Sequence, residues 1–165
     1  MVAVRPNIFR CLMVVLAAAL WVCLGSPSLN AQTPDPGAAK VEKLLKTTGF
    51  TYKTHSPNTW SIEFDRKSIG KVRVIISTGS DIVVTFAILA KQAAISKTPQ
   101  MMETLLTTNH EYDYCKIGLD KDGDLFVRID IPLRLIDSRE LKSVIGQIAN
   151  ASDEVYAKVA GSIQK

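Results

Sequence analysis

With 165 residues, 47% of them hydrophobic and 22% charged, the chain has the size and composition of one globular domain. The net charge of +4 is not gathered into a Lys/Arg cluster interleaved with aromatics, which argues against nucleic acid as a partner. Two histidines and three cysteines are too few and too scattered for a zinc site or a disulfide framework, and there is no internal repeat or low-complexity tract.

The N-terminus differs in kind from the rest. Arg5 and Arg10 form a basic region, no acidic residue precedes Asp35, and Cys11 to Leu24 is an unbroken apolar run. At about 1.5 Å per residue that run reaches roughly 21 Å, short of a hydrocarbon core about 30 Å thick. Gly25, Ser26 and Pro27 then break it. This is the pattern of a secretory signal peptide over residues 1–31, with cleavage expected after Ala31 and a competing site after Ser28. The protein is therefore expected to be exported, periplasmic or secreted. The alternative is an uncleaved anchor, the one case in which a membrane is a partner. Arg10 and Val22, not small residues, precede Cys11 and Cys23, so lipid attachment is not expected. Cleavage removes two arginines and two cysteines. The remaining Cys115 has no disulfide partner within the chain, and the core must hold the fold by itself.

Residues 32–37 read as a polar linker with two prolines, ahead of a single domain over 38–165. A short helix follows, with Pro36 near its first turn and Val41, Leu44 and Leu45 on one side, ended by a left-handed Gly49. From Phe50 to Leu89 the period becomes two. Trp60, Ile62 and Phe64 alternate with Ser61 and Glu63, Val72, Val74 and Ile76 alternate with Arg73, Ile75 and Ser77, and Phe50–Thr54 is a candidate extra strand. Thr78–Asp81 carries turn chemistry before a strand over Ile82–Leu89. Thr98 caps a helix with Pro99 at its first position and Met101, Met102, Leu105 and Leu106 as its stripe, ending near Asn109. Cys115–Leu119 and Leu125–Leu135 form a hairpin about Asp122-Gly123. Asp137 and Glu140 have capping-box spacing, opening a last helix that Gly146 weakens without ending. The predicted order is α-β-β-β-(β)-α-β-β-α, an antiparallel sheet with helices of the α+β class.

The strand Ile82–Leu89 is apolar on both sides. Its Ile82, Val84, Phe86 and Ile88 read as the core parity, leaving Val83, Ala87 and Leu89 on the other. With Ile75 and Phe126 these would form a second apolar face rimmed by Arg73 and Arg128. Ile75, Val83, Ala87, Leu89 and Phe126 are thus the candidate interface. Cover by the first helix or the linker is the alternative.

Element order and local detail resemble the YbjN family of bacterial proteins, whose fold is similar to that of type III secretion chaperones. The residues that carry the resemblance are Leu105-Leu106 with Asn109, the hairpin Ile117–Ile131, and Asp153-Glu154-Val155-Tyr156 in the last helix. It extends over Ala38–Ala160 and implies a binding fold without naming a ligand.

No constellation for turnover stands out. Asp120–Asp124 fails as a calcium loop, because with Gly123 at position 6 the outer ligand positions fall on Gly118 and Ile129; it reads as a turn. Cys115, five residues after His110, is the one candidate nucleophile, and the competing reading is a small buried apolar residue. Ser80 lacks the glycines of a nucleophile elbow, and there is no phosphate loop. The expectation is a non-enzymatic domain that binds a protein or peptide, self-association included, with no catalytic residue, cofactor or metal. The alternatives are a thiol enzyme or redox protein using Cys115, and a membrane-anchored signalling or stress-response module.

Overall fold

The structure, a computed structural model, describes residues 35–79 and 81–164. The expected signal peptide (residues 1–31) and linker residues 32–34 lie outside the described residues, as does Ser80. Helix α1 (Pro36–Thr48) begins inside the expected linker: Asp35 caps it by accepting from the Gly37 amide at 2.9 Å, and Pro36 takes the first turn, where no amide is needed. It closes on Gly49 at φ 81°, the left-handed conformation a residue without Cβ adopts freely.

Strands β1 (Lys53–Ser56), β2 (Thr59–Asp65), β3 (Lys71–Thr78) and β4 (Ile82–Ala90) follow, then α2 (Pro99–His110), β5 (Lys116–Leu119), β6 (Leu125–Pro132) and α3 (Ser138–Val159). The sheet has six strands in the order β1-β2-β3-β4-β6-β5, every neighbouring pair antiparallel. The chain is therefore α+β, as expected, and the candidate extra strand exists, three residues downstream of its predicted start. Phe50 instead lays its ring edge-on to Phe64, 5.4 Å between centroids.

One strand boundary and one helix stripe differ from expectation. Strand β6 stops at Pro132; the Leu133 amide still donates to the Asp81 carbonyl at 2.8 Å, and Leu135 then donates to the Pro132 carbonyl at 2.9 Å in a turn and stands exposed. Helix α2 buries Met101 and Leu105 but leaves Met102 and Leu106 outside, so half of its predicted stripe is surface.

All three helices lie on one face of the sheet. α3 sends Leu141, Val144, Ile145, Ile148 and Val155 into the core against β3, β4 and β6, while α1 packs on α3 and α2 packs on β5 and α3. From the sheet side the core is met by Trp60, Ile62, Val72, Val74, Ile76, Leu125, Val127 and Ile129. Both caps read from the sequence form: Thr98 Oγ1 accepts from the Met101 amide at 3.1 Å, and Asp137 from the Glu140 amide at 2.8 Å.

Two carboxylates pin loops to this frame. Asp153 of α3 accepts from the Ser68 and Ile69 amides in the β2–β3 turn, at 2.7 and 2.9 Å. Asp124 accepts from Lys91 Nζ at 2.7 Å and the Gln92 amide at 2.9 Å. The Ile69 amide holds the Asp153 carboxyl below its ordinary range, and Lys91 does the same for Asp124. A carboxylate whose folded pKa is depressed contributes stability above its unfolded value, about 3.9, and loses it as pH falls through the lower folded value. The urea midpoint should therefore drop between about pH 5 and pH 3. An Asp124→Asn, Asp153→Asn double variant should start lower at pH 7 and fall less steeply over that range.

Candidate binding surface

The helix-free face of the sheet is built by the alternate residues of each strand, and register fixes which these are. Ile75 pairs with Phe86, Phe86 with Arg128, and Arg128 with Lys116; on the other side Ile75 pairs with Ser61 and Ser61 with Lys53. Cross-strand partners share a face. One row, Lys53–Ser61–Ile75–Phe86–Arg128–Lys116, thus crosses the whole sheet. The row on one side contains Ser77, Val84 and Asp130, and the row on the other contains Ile88, Phe126 and Gly118.

This register corrects the expected interface. Ile75 and Phe126 lie half-buried on the open face, as read from the sequence. Val83, Ala87 and Leu89 do not: they are buried under the helices, Val83 being 1% exposed. The apolar island on the open face is Ile75, Val84, Phe86, Ile88 and Phe126, so strand β4 carries its larger side chains outward. Val84, Phe86, Ile88, Phe126, Arg128 and Asp120 surround a shallow depression of about 150 Å³.

Charges flank the island, and Arg73 and Arg128 take the rim positions expected of them. On one side Arg73 donates to Glu63 at 2.8 Å, next to a polar hollow of about 490 Å³ lined by Thr51, Tyr52, Lys53, His55, Ser61, Glu63 and Arg73. Within it His55 Nε2 and Ser61 Oγ lie 2.7 Å apart. On the other side Asp130 receives Arg128 Nε at 2.6 Å and Lys116 Nζ at 2.7 Å. Partial burial pushes the Asp130 carboxyl up, but its two cations outweigh that and hold it low. Lys53, His55 and Lys116 were missed from the sequence because isolated polar residues in the edge strands β1 and β5 carry no periodic signal, and Ser61 because its place in the β2 alternation marks a face without marking a site.

The sheet's β5 edge is partly closed. Asn109, at the end of α2, accepts from the Ile117 amide at 3.2 Å, occupying an outward donor that another strand could otherwise take. This gives a physical role to the asparagine noted in the leucine-containing helix. Asn109→Ala should cost about 0.5–1.5 kcal/mol and raise hydrogen exchange at the Ile117 amide, readable by NMR.

Two candidates remain, the Asp-rich stretch and Cys115. Asp120 Oδ1 accepts from the Asp122 and Asp124 amides at 2.9 Å each, and Gly123 takes φ 81°, so the Asp-rich stretch is a hairpin turn. Cys115 is 6% exposed, and burial, with the Glu154 charge adding, pushes its thiol up to about 11. No histidine lowers it. Alkylation of the native chain should be slow at pH 8 and become fast in denaturant, where a free thiol titrates near 8.5.

Residues 38–160 match the family YbjN, "Putative bacterial sensory transduction regulator". The chain belongs to the YbjN family. Among solved structures this YbjN-family chain is similar to YbjN of E. coli, at 11% identity over 76% of this chain and 93% of that one, with a TM-score of 0.54. It is also similar to the Yersinia pestis type III secretion chaperone SycH, solved in complex with a stable fragment of YscM2. There the identity is 14%, over 72% of this chain and 98% of that one, with a TM-score of 0.51. At these identities the likeness is one of fold, and it is the type III chaperone-like α+β fold expected from the sequence. Curated proteins give no sequence match.

Proposed function

We propose that the chain is an exported, non-enzymatic domain that binds a protein or peptide segment on the open face of its sheet. The observation that carries this reading is the island Ile75, Val84, Phe86, Ile88 and Phe126, which no helix among the described residues covers and charged pairs border. The fold it shares with SycH, a chaperone solved with a fragment of another protein, supports it. The raised thiol of Cys115 weighs against the enzymatic alternative. A second copy of the chain is the competing occupant.

Selection of random dodecapeptides on the chain as matured by its host tests the reading. Enriched peptides should fail to bind a Phe86→Ser, Phe126→Ser variant that melts within a few degrees of the parent, and should still bind Met102→Ser, Leu106→Ser. Enrichment on neither chain, or equal binding to both Phe-containing and Phe-free faces, contradicts it. Export is read from the basic and apolar N-terminal pattern. An intact mass beginning at Gln32 supports cleavage, whereas a full-length mass in the membrane fraction favours the anchored signalling alternative.

A further inference from the structure

We propose that the segment bound on the open face is apolar at its centre and acidic at both ends, its carboxylates spaced to meet the two ends of the Lys53–Lys116 row. This rests on the binding reading above and adds the partner's chemistry to it. The row crosses six strands through five steps of about 4.8 Å, which puts its ends roughly 24 Å apart. Its middle is Ile75 and Phe86, with Val84, Ile88 and Phe126 beside them.

Each end holds more positive charge than its carboxylate neutralises. At the β5 end one carboxylate, Asp130, serves both Arg128 and Lys116, and the lysine remains largely in solvent. At the β1 end one carboxylate, Glu63, serves Arg73, while Lys53 makes no ion pair among the described residues. Lys53 is near enough to help hold the Glu63 carboxyl low, so it belongs to that end's field. Asp120, at the lip of the central depression, keeps a carboxylate beside the island while accepting from two amides of its own turn, which disfavours an acid at the segment's centre. An extended segment needs about seven residues to span the distance, with apolar side chains on the island and Asp or Glu beyond it.

Three labelled peptides sharing one apolar centre, flanked at both ends by two Glu, two Gln or two Lys, separate the possibilities by anisotropy on the host-matured chain. The Glu-flanked peptide should bind about tenfold tighter than the Lys-flanked one at low salt, the gap closing toward a few-fold near 0.5 M salt. A Lys53→Glu, Lys116→Glu variant should reverse the order. Equal binding of all three, with loss on Phe86→Ser, Phe126→Ser, overturns the charge pattern while the open-face reading stands. Lys-flanked preference, or Glu-flanked binding indifferent to the two Phe changes, also overturns it. So does binding confined to anionic vesicles. Failure of every peptide, or a dimer that buries the face, sinks this proposal together with peptide binding on this face.

Discussion

Val83→Lys should abolish the folded state, while Val84→Lys, one residue on, should leave it intact. Val83 is 1% exposed, paired with Thr78 and Ile131 on the helix-covered side of the sheet. A lysine there must bury an unpaired ammonium or break the packing of α3. Either costs several kcal/mol against a total stability of about 5–15 kcal/mol. Val84 points the other way and sits opposite Asp130 in the register, so a lysine at 84 stays hydrated with a carboxylate neighbour. Its cost should be under about 1 kcal/mol. Far-UV circular dichroism and a urea titration distinguish the two. Equal damage from both would mean that both faces of β4 are covered.

Trp60→Ala should be the most damaging large-to-small change, at about 3–5 kcal/mol, and Trp60→Phe much milder. The indole is 1% exposed on β2, among the largest fully buried side chains, and lies against the helix side of the sheet. Alanine leaves its volume empty, because neighbours in a packed core close only part of such a void. Phenylalanine leaves a smaller void and also removes the indole N–H, which has no hydrogen-bond acceptor in the described structure. Losing an unpaired buried donor returns about 1–3 kcal/mol, so the two effects should nearly cancel. Denaturant midpoints of the two variants measure the difference directly. A Trp60→Phe loss of several kcal/mol would show that Nε1 is satisfied in solution.

The elements themselves were legible from the sequence because each carries a local signal. Thr98 and Asp137 begin two helices, Gly49 ends one, and Gly123 turns the last hairpin, whereas the cap at Asp35 fell inside the expected linker. What failed was the facing of β4, where both parities are apolar and composition favoured the wrong one. Ile82, Val84, Phe86 and Ile88 are the bulkier set, while the true core set includes Thr85. The turn held the missing information. Four residues over Thr78–Asp81 place Ser77 opposite Ile82, and hairpin partners share a face, so Ile82 belongs with Ile75 rather than with Ile76. In the structure Ser77 meets Val84, which keeps the same parity. The two basic ends of the surface could not be read that way. They come from β1 and β5, four-residue edge strands whose places in the sheet follow from long-range pairing.

The central claim is that the helices cover one face of the sheet and leave the other as the binding surface. Chemical-shift mapping of the isotope-labelled chain, titrated with the Glu-flanked peptide, tests it most directly. Perturbations should gather on Ile75, Val84, Phe86, Ile88 and Phe126 and extend to Lys53 and Lys116, leaving Val83, Ala87 and Leu89 least affected. Perturbations centred on Met102 and Leu106 of α2, or spread evenly over the domain, would contradict it.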